Sequence, residues 1–217
     1  MTAEELLSDA LTLFGAHQGN ELFSSIFWRA IRDGQLAFCQ RRNWGFALEP
    51  SATVDTVADT RSVTLASDFD VLFRDDCVRD TDNETWLERI TVRQWRDRYY
   101  EDGTDTGDPS MFWIVDQTMY FTPVPDDAYT IEYAYYKAPT TPTINAPTLL
   151  IPDAYREGLW LLVTREMIRS GLRPLVDLDV TDKTIVECLA RHAMHDARRY
   201  REAHAGLPRA ERTMRHG

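Results

Sequence analysis

The segment YTIEYAYY at Tyr129–Tyr136 places the tightest limit on what this chain can become, because bulky and smaller side chains alternate along nearly its whole length. Successive side chains of a strand point to opposite faces. Tyr129, Ile131, Tyr133 and Tyr135 therefore share one face, and Thr130, Glu132, Ala134 and Tyr136 the other. The pattern predicts a half-buried strand with the first set in a core and Tyr136 turned toward exposure or a neighbour. Upstream, Pro123 and Pro125 lack the amide donor that a central strand needs. Val124–Asp127 then reads as the connection to an earlier strand around Met119–Phe121, and the whole as a hairpin or meander piece.

Helical signals flank this β-type sequence. Thr2 and Glu5 form a capping box ahead of Leu6, Leu7, Ala10, Leu11 and Phe14, and the stripe stops between Gly15 and Gly19. Asn20 is placed to cap a second helix in which Phe23, Ile26, Phe27, Ala30, Ile31 and Phe38 recur at helical spacing as far as Arg42. Short β-like runs follow at Thr53–Val57, Ser62–Leu65 and Val71–Phe73. Thr91 can cap a short helix over Ile90–Tyr99, GTDTGDPS reads as a loop, and Met111–Val115 begins the sheet segment. Helices return after Pro152: one to Arg169, apolar almost all round at Leu159–Val163, and one from Thr181 to Ala203 carrying Ile185, Leu189, Ala193, Ala197 and Tyr200 on one line.

The expected fold class is α+β: a helical bundle built from the N- and C-terminal helices, an inserted antiparallel β region and an extended C-terminal tail. Residues 1–48 supply the N-terminal helices, 49–139 the acidic insertion, 140–205 the C-terminal helices and 206–217 the tail. At 217 residues, 43% of them hydrophobic, the chain can bury a core of its own. There is no run of about 18 apolar residues to cross a bilayer. MTAEELLSDA is acidic where a secretory signal would be basic and then apolar, so a soluble chain without membrane contact is expected.

The net charge of −11 is unevenly spread. Glu49–Glu132 holds twenty acids against seven arginines, whereas Arg191–Gly217 holds seven arginines against three acids. Phosphate binding needs clustered cations, so the acidic middle disfavours wrapping nucleic acid and reads as a solvated surface. Cys39, Cys77 and Cys188 are too few and too scattered for a disulfide framework.

Chemistry-bearing patterns are sparse. Cys188, His192 and His195 fall on one face of the last helix, where zinc would find sulfur and imidazole, yet a fourth ligand is missing nearby and they read as packing or surface residues. Asp80, Asp82 and Glu84, and separately Asp102, Asp105 and Asp108, offer oxygens for calcium, but neither run matches a calcium-binding loop, and acidic solvated turns explain them. Asp68 and Asp70 are carboxylates that folding could pair. G-x-S-x-G, a glycine-rich phosphate loop and H-E-x-x-H are all lacking. The expectation is a non-enzyme with no catalytic residues, no metal and no cofactor.

Taken together, several spaced motifs resemble the head-to-tail connector (adaptor) proteins of tailed bacteriophages. These are W-x-F at Trp44 and Phe46, T-L-x-x-D-F at Thr64–Phe69, G-x-P at Gly107–Pro109, F-x-P-x-P at Phe121–Pro125, the T-I-E-Y-x-Y-Y that follows, and a proline before a helix at Pro152. The similarity spans Leu22–Tyr200. It implies a structural protein of the virion neck, made in the host bacterial cytoplasm. Identical subunits would form a dodecameric ring beneath the portal protein, join a tail or nozzle protein below, and pass double-stranded DNA through the lumen without sequence-specific binding during ejection. The C-terminal segment would dock on the portal, which assigns contact to Leu207, Pro208, Arg209, Arg212, Met214 and Arg215, with Tyr136 as a subunit or tail contact. Such a tail, with little apolar surface, is expected to order only on docking. A tyrosine-rich strand suits contact, since tyrosine brings large apolar area and a hydroxyl tolerant of water. Alternatives are a tail-tube or gatekeeper subunit and, in another class, a metal-dependent enzyme using the acidic loops.

Overall fold

The first helix, α1 (Ala3–Phe14), begins where its cap dictates. Thr2 Oγ1 accepts from the Glu5 amide at 3.3 Å and Glu5 Oε2 accepts from the Thr2 amide at 2.8 Å, so two amides with no helical partner are satisfied. Gly15 closes it in the left-handed region, at φ 63°, where a side chain would be strained. The computed structural model describes residues 1–17, 19–99, 105–176 and 180–204. These form two units, one of residues 1–38, 44–46 and 142–217 and one of residues 39–43 and 47–141.

The helical unit contains α1, α2 (Glu21–Cys39), α4 (Arg156–Arg169) and α5 (Asp182–His204). Asn20 Oδ1 caps α2 through the Phe23 amide at 3.1 Å. Gly34 of α2 lies against α4 so closely that a Cβ there would stand 3.1 Å from a Val163 methyl, and this contact buries Leu162 and Val163 of the apolar run. The chain ahead of α4 is stitched down by backbone: the Ala3 amide donates to Pro147 O at 2.7 Å, and the Leu150 amide donates to the buried Gln35 Oε1 at 3.1 Å. Trp44 and Phe46, the W-x-F pair, fill an aromatic cluster with Phe38 and Tyr155, the Trp44 indole donating to Phe38 O at 3.0 Å.

Among the described residues the β unit holds nine strands in two sheets. The first comprises β1 (Leu48–Asp55), β3 (Phe69–Leu72), β4 (Val78–Asp80), β5 (Thr85–Trp86) and β9 (Thr130–Lys137). Strand β9 is its axis: β1 pairs along one edge, and β4 and β3 follow one another along the other, all antiparallel. Pro50 falls where the β1–β9 register shifts between Glu49 and Ala52, a position at which its missing amide costs no ladder bond. The second sheet runs β2 (Ser62–Thr64), β8 (Thr118–Thr122), β7 (Met111–Val115), β6 (Glu88–Arg89), with β6 parallel to β7. Helix α3 (Val92–Tyr99) starts at a second capping box, Thr91 with Gln94.

Two expectations are corrected here. Strands β8 and β9 do not form a hairpin or meander. Both edges of β8 are taken by β7 and β2 and both edges of β9 by β1, β3 and β4, so neither has a ladder free for the other. The proline-rich link instead passes from one sheet to the next, with the Val124 amide donating to Asp105 O at 2.8 Å. The turn at Asp80–Glu84 is also not wholly solvated, since Asp80 is fully buried.

Candidate functional site

Strand β9 draws the T-L-x-x-D-F segment into contact with its own motif, and the alternation sets which face does so. Ile131, Tyr133 and Tyr135 are buried, Tyr129 is half-buried on the same side, and Glu132, Ala134 and Tyr136 occupy the other face. Tyr135 Oη donates to Asp68 at 2.6 Å, and its ring lies 5.5 Å from that of Phe69. Tyr133 Oη accepts from the Ala66 amide at 3.2 Å. The T-L-x-x-D-F segment is thus held to the T-I-E-Y-x-Y-Y strand by both of the strand's buried hydroxyls. Burial first, then the Asp68 hydrogen bond, moves the Tyr135 phenol well above its usual range, and burial also raises Tyr133. Both stay neutral donors or acceptors at any physiological pH.

Tyr129, at the start of the strand, has its hydroxyl 2.6 Å from both Asp108 and Asp126. The Asp108 hydrogen bond, with that of Asp126 next, pushes its ionisation upward. Asp108 of the G-x-P segment therefore serves as an acceptor for a phenol. In DTDNET, Asp80 Oδ1 accepts from the Asp82 and Asn83 amides and Oδ2 from the Asn83 side chain, while Asp82 Oδ2 accepts the Thr130 amide at 2.7 Å. Of the acids weighed as calcium ligands, Asp80, Asp82 and Asp108 are thereby engaged in turns, strand starts and a phenol contact. Asp102 lies outside the described residues, and Asp70 is exposed and apart from the Asp68–Tyr135 bond.

Tyr136 is half-buried, its ring 6.0 Å from Phe73, on the face opposite Tyr133. Leu207, Pro208, Arg209, Arg212, Met214 and Arg215 lie outside the described residues. Sequence reasoning did not anticipate a stacked ladder in the second sheet. Trp95 of α3 lies 4.9 Å from Trp113, and Trp113 lies 5.3 Å from Tyr120, with Arg61 over the Trp95 ring. The signal was Trp95, set among arginines, a glutamine and an aspartate in the middle of a short helix. A cleft of about 360 Å³ beside it is lined by Asp75, Arg89, Thr91 and Trp113, with Asp75 and Arg89 paired as ions.

In the helical unit α5 brings Cys188 and His192 together as their spacing predicts, while His195 is exposed. The third group beside them is Glu157 of α4, which the sequence gave no reason to connect. Asp196, next to His195 on α5, is 4% exposed and accepts from the Gly45 amide at 3.0 Å and from the Tyr155 hydroxyl at 3.2 Å. Cys39 is a thiol that burial, then the charge of Asp70, pushes up to about 12, so it stays protonated.

No nucleophile, base and oxyanion donor converge among the described side chains named above. What the geometry defines is a scaffold whose polar groups are occupied in holding its own motifs together. The family model for the SU10 adaptor protein matches residues 1–204, and the chain belongs to that family, in keeping with its resemblance to phage head-to-tail adaptors. Comparison with curated proteins gave no match. No helix among the described residues is long and apolar enough to cross a membrane.

Proposed function

We propose that the chain is a structural head-to-tail adaptor whose identical subunits assemble as a dodecameric ring beneath the portal, join capsid to tail or nozzle protein, and leave a lumen for double-stranded DNA. The observation that carries this reading is the family match over nearly the whole chain. Charge supports the conduit part of it: the β unit holds twenty acids against ten lysines and arginines, a surface that repels phosphates and lets DNA slide rather than grip. The protein then works in the virion neck without catalysis, after synthesis in the host cytoplasm.

Portal docking is assigned to the C-terminal segment, in which Arg209, Arg212 and Arg215 recur every third residue with Leu207 and Met214 as apolar anchors. Arginine suits this role because its planar fork pairs carboxylates bidentately. Tyr136 is the proposed contact on the β unit. Co-purification with the cognate portal tests the reading: the full chain binds, and a chain lacking Leu207–Gly217 binds far more weakly, as does the full chain in high salt. A truncated chain that binds portals as well as the full one removes the docking assignment, and a full chain that never binds removes the adaptor reading.

A further inference from the structure

We propose that Glu157, Cys188 and His192 form a metal site of the zinc class that fastens α4 to α5. One ligand atom from each residue lies within 4.8 Å of the other two. Cys188 and His192 stand one helical turn apart on α5, and Glu157 faces them from the first turn of α4. A thiolate, an imidazole and a carboxylate are a donor set that zinc accepts, with one tetrahedral position left for water. Tetrahedral bond lengths place such donors about 3.4–3.6 Å apart. The gap to be closed is at most roughly an ångström, and Glu157, with a 59% exposed side chain and a long flexible stem, is the ligand free to close it.

The remaining groups are prepared for this. His192 Nε2 is buried and has no hydrogen-bond partner among the described residues, a cost that coordination through that atom would remove. Its ring packs close against the α4 backbone at Gly158, where a Cβ would lie 3.0 Å from His192 Cδ2. Tyr155 closes another side at 5.3 Å between ring centroids. Cys188 is 1% exposed, and its Sγ lies within reach of the other two donors, so binding a metal there releases the thiol proton. Arg191 pairs with Glu157 Oε1 at 3.1 Å, but this is an exposed pair of small worth, and the other carboxylate oxygen remains for a metal.

The test is titration of the reduced full-length protein with cobalt(II), followed by zinc displacement. The expected result is one cobalt per chain with a thiolate-to-cobalt charge-transfer band that zinc abolishes. Cys188→Ser should lose the band. Glu157→Gln, an exposed change that leaves the fold in place, should weaken binding by roughly tenfold or more. Circular dichroism of each variant confirms that it is folded. Absence of the band in the wild-type chain overturns the proposal. So does a band whose affinity is unchanged in both variants, since the metal then sits at other thiols or at surface histidines.

Discussion

The two units use the same residue types for different work. In the helical unit, fifteen acids face fourteen lysines and arginines, and several of its carboxylates pair with cations: Asp9 with Arg156, Asp182 with Arg165, Glu157 with Arg191. In the β unit the acids outnumber the cations by ten, and several accept from neutral donors instead: Asp68 from Tyr135, Asp108 and Asp126 from Tyr129, Asp80 and Asp82 from backbone amides. An acidic count therefore overstates how much of the charge is spare for partners. A hydrogen bond to a carboxylate is worth more than a neutral one and leaves the charge in place, so these tyrosines and aspartates hold the β unit while keeping it negative.

The largest expected effect that separates the units is at Tyr133. Tyr133→Ala removes a buried ring and the acceptor for the Ala66 amide, and should cost about 3 kcal/mol of stability in denaturant unfolding. Tyr136→Ala, on the half-buried face, should cost about 1 kcal/mol. Equal losses would erase the distinction between the two faces of β9. In the helical unit the matching test adds an atom rather than removing a ring. Gly158→Ala would set a Cβ 2.9 Å from Phe38 and 3.0 Å from His192, and should cost about 2 kcal/mol through overpacking. An unchanged midpoint would show that α4 and α5 do not approach so closely.

Much of this was legible beforehand, and the reason differs by element. The Met111–Val115 strand and the Thr2 and Thr91 caps are local: a few side chains and their own backbone decide them. The faces of β9 followed from alternation alone, but its partners did not, because periodicity says which side is buried and nothing about which strand lies alongside. The short strands β4, β5 and β6 were missed because two or three residues carry no period. Cys188 and His192 could be placed on one face from their spacing, whereas Glu157, thirty-one residues before Cys188, joins them only through the packing of two helices.

Smaller effects sharpen the contrast. Thr2→Ala should cost about 1 kcal/mol by leaving the Glu5 amide without its cap, measurable as a lowered midpoint. The two units should also fail at opposite ends of the pH scale. Tyr133 and Tyr135 have folded pKa values raised above 10, so the stability they contribute is complete below that pH and is lost as alkali ionises the unfolded phenols first. His192 is lowered below 6.5 by burial, and Glu5 is lowered below 4.5 chiefly by its hydrogen bond to the Thr2 backbone. Their contributions are complete above those values and are lost as pH falls. Circular dichroism at helix and aromatic wavelengths across a pH series should show helix weakening first in acid and tyrosine packing weakening first in alkali. The reverse order would contradict the assignment of these groups.

The central claim is that this chain joins a portal as a ring of copies of itself, and native mass measurement of the purified chain with and without its cognate portal tests it most directly. The account expects the portal peak to gain the mass of about twelve chains, matching the ring it caps, and a chain lacking Leu207–Gly217 to leave the portal mass unchanged. A portal whose mass does not change on mixing with the intact chain would contradict it.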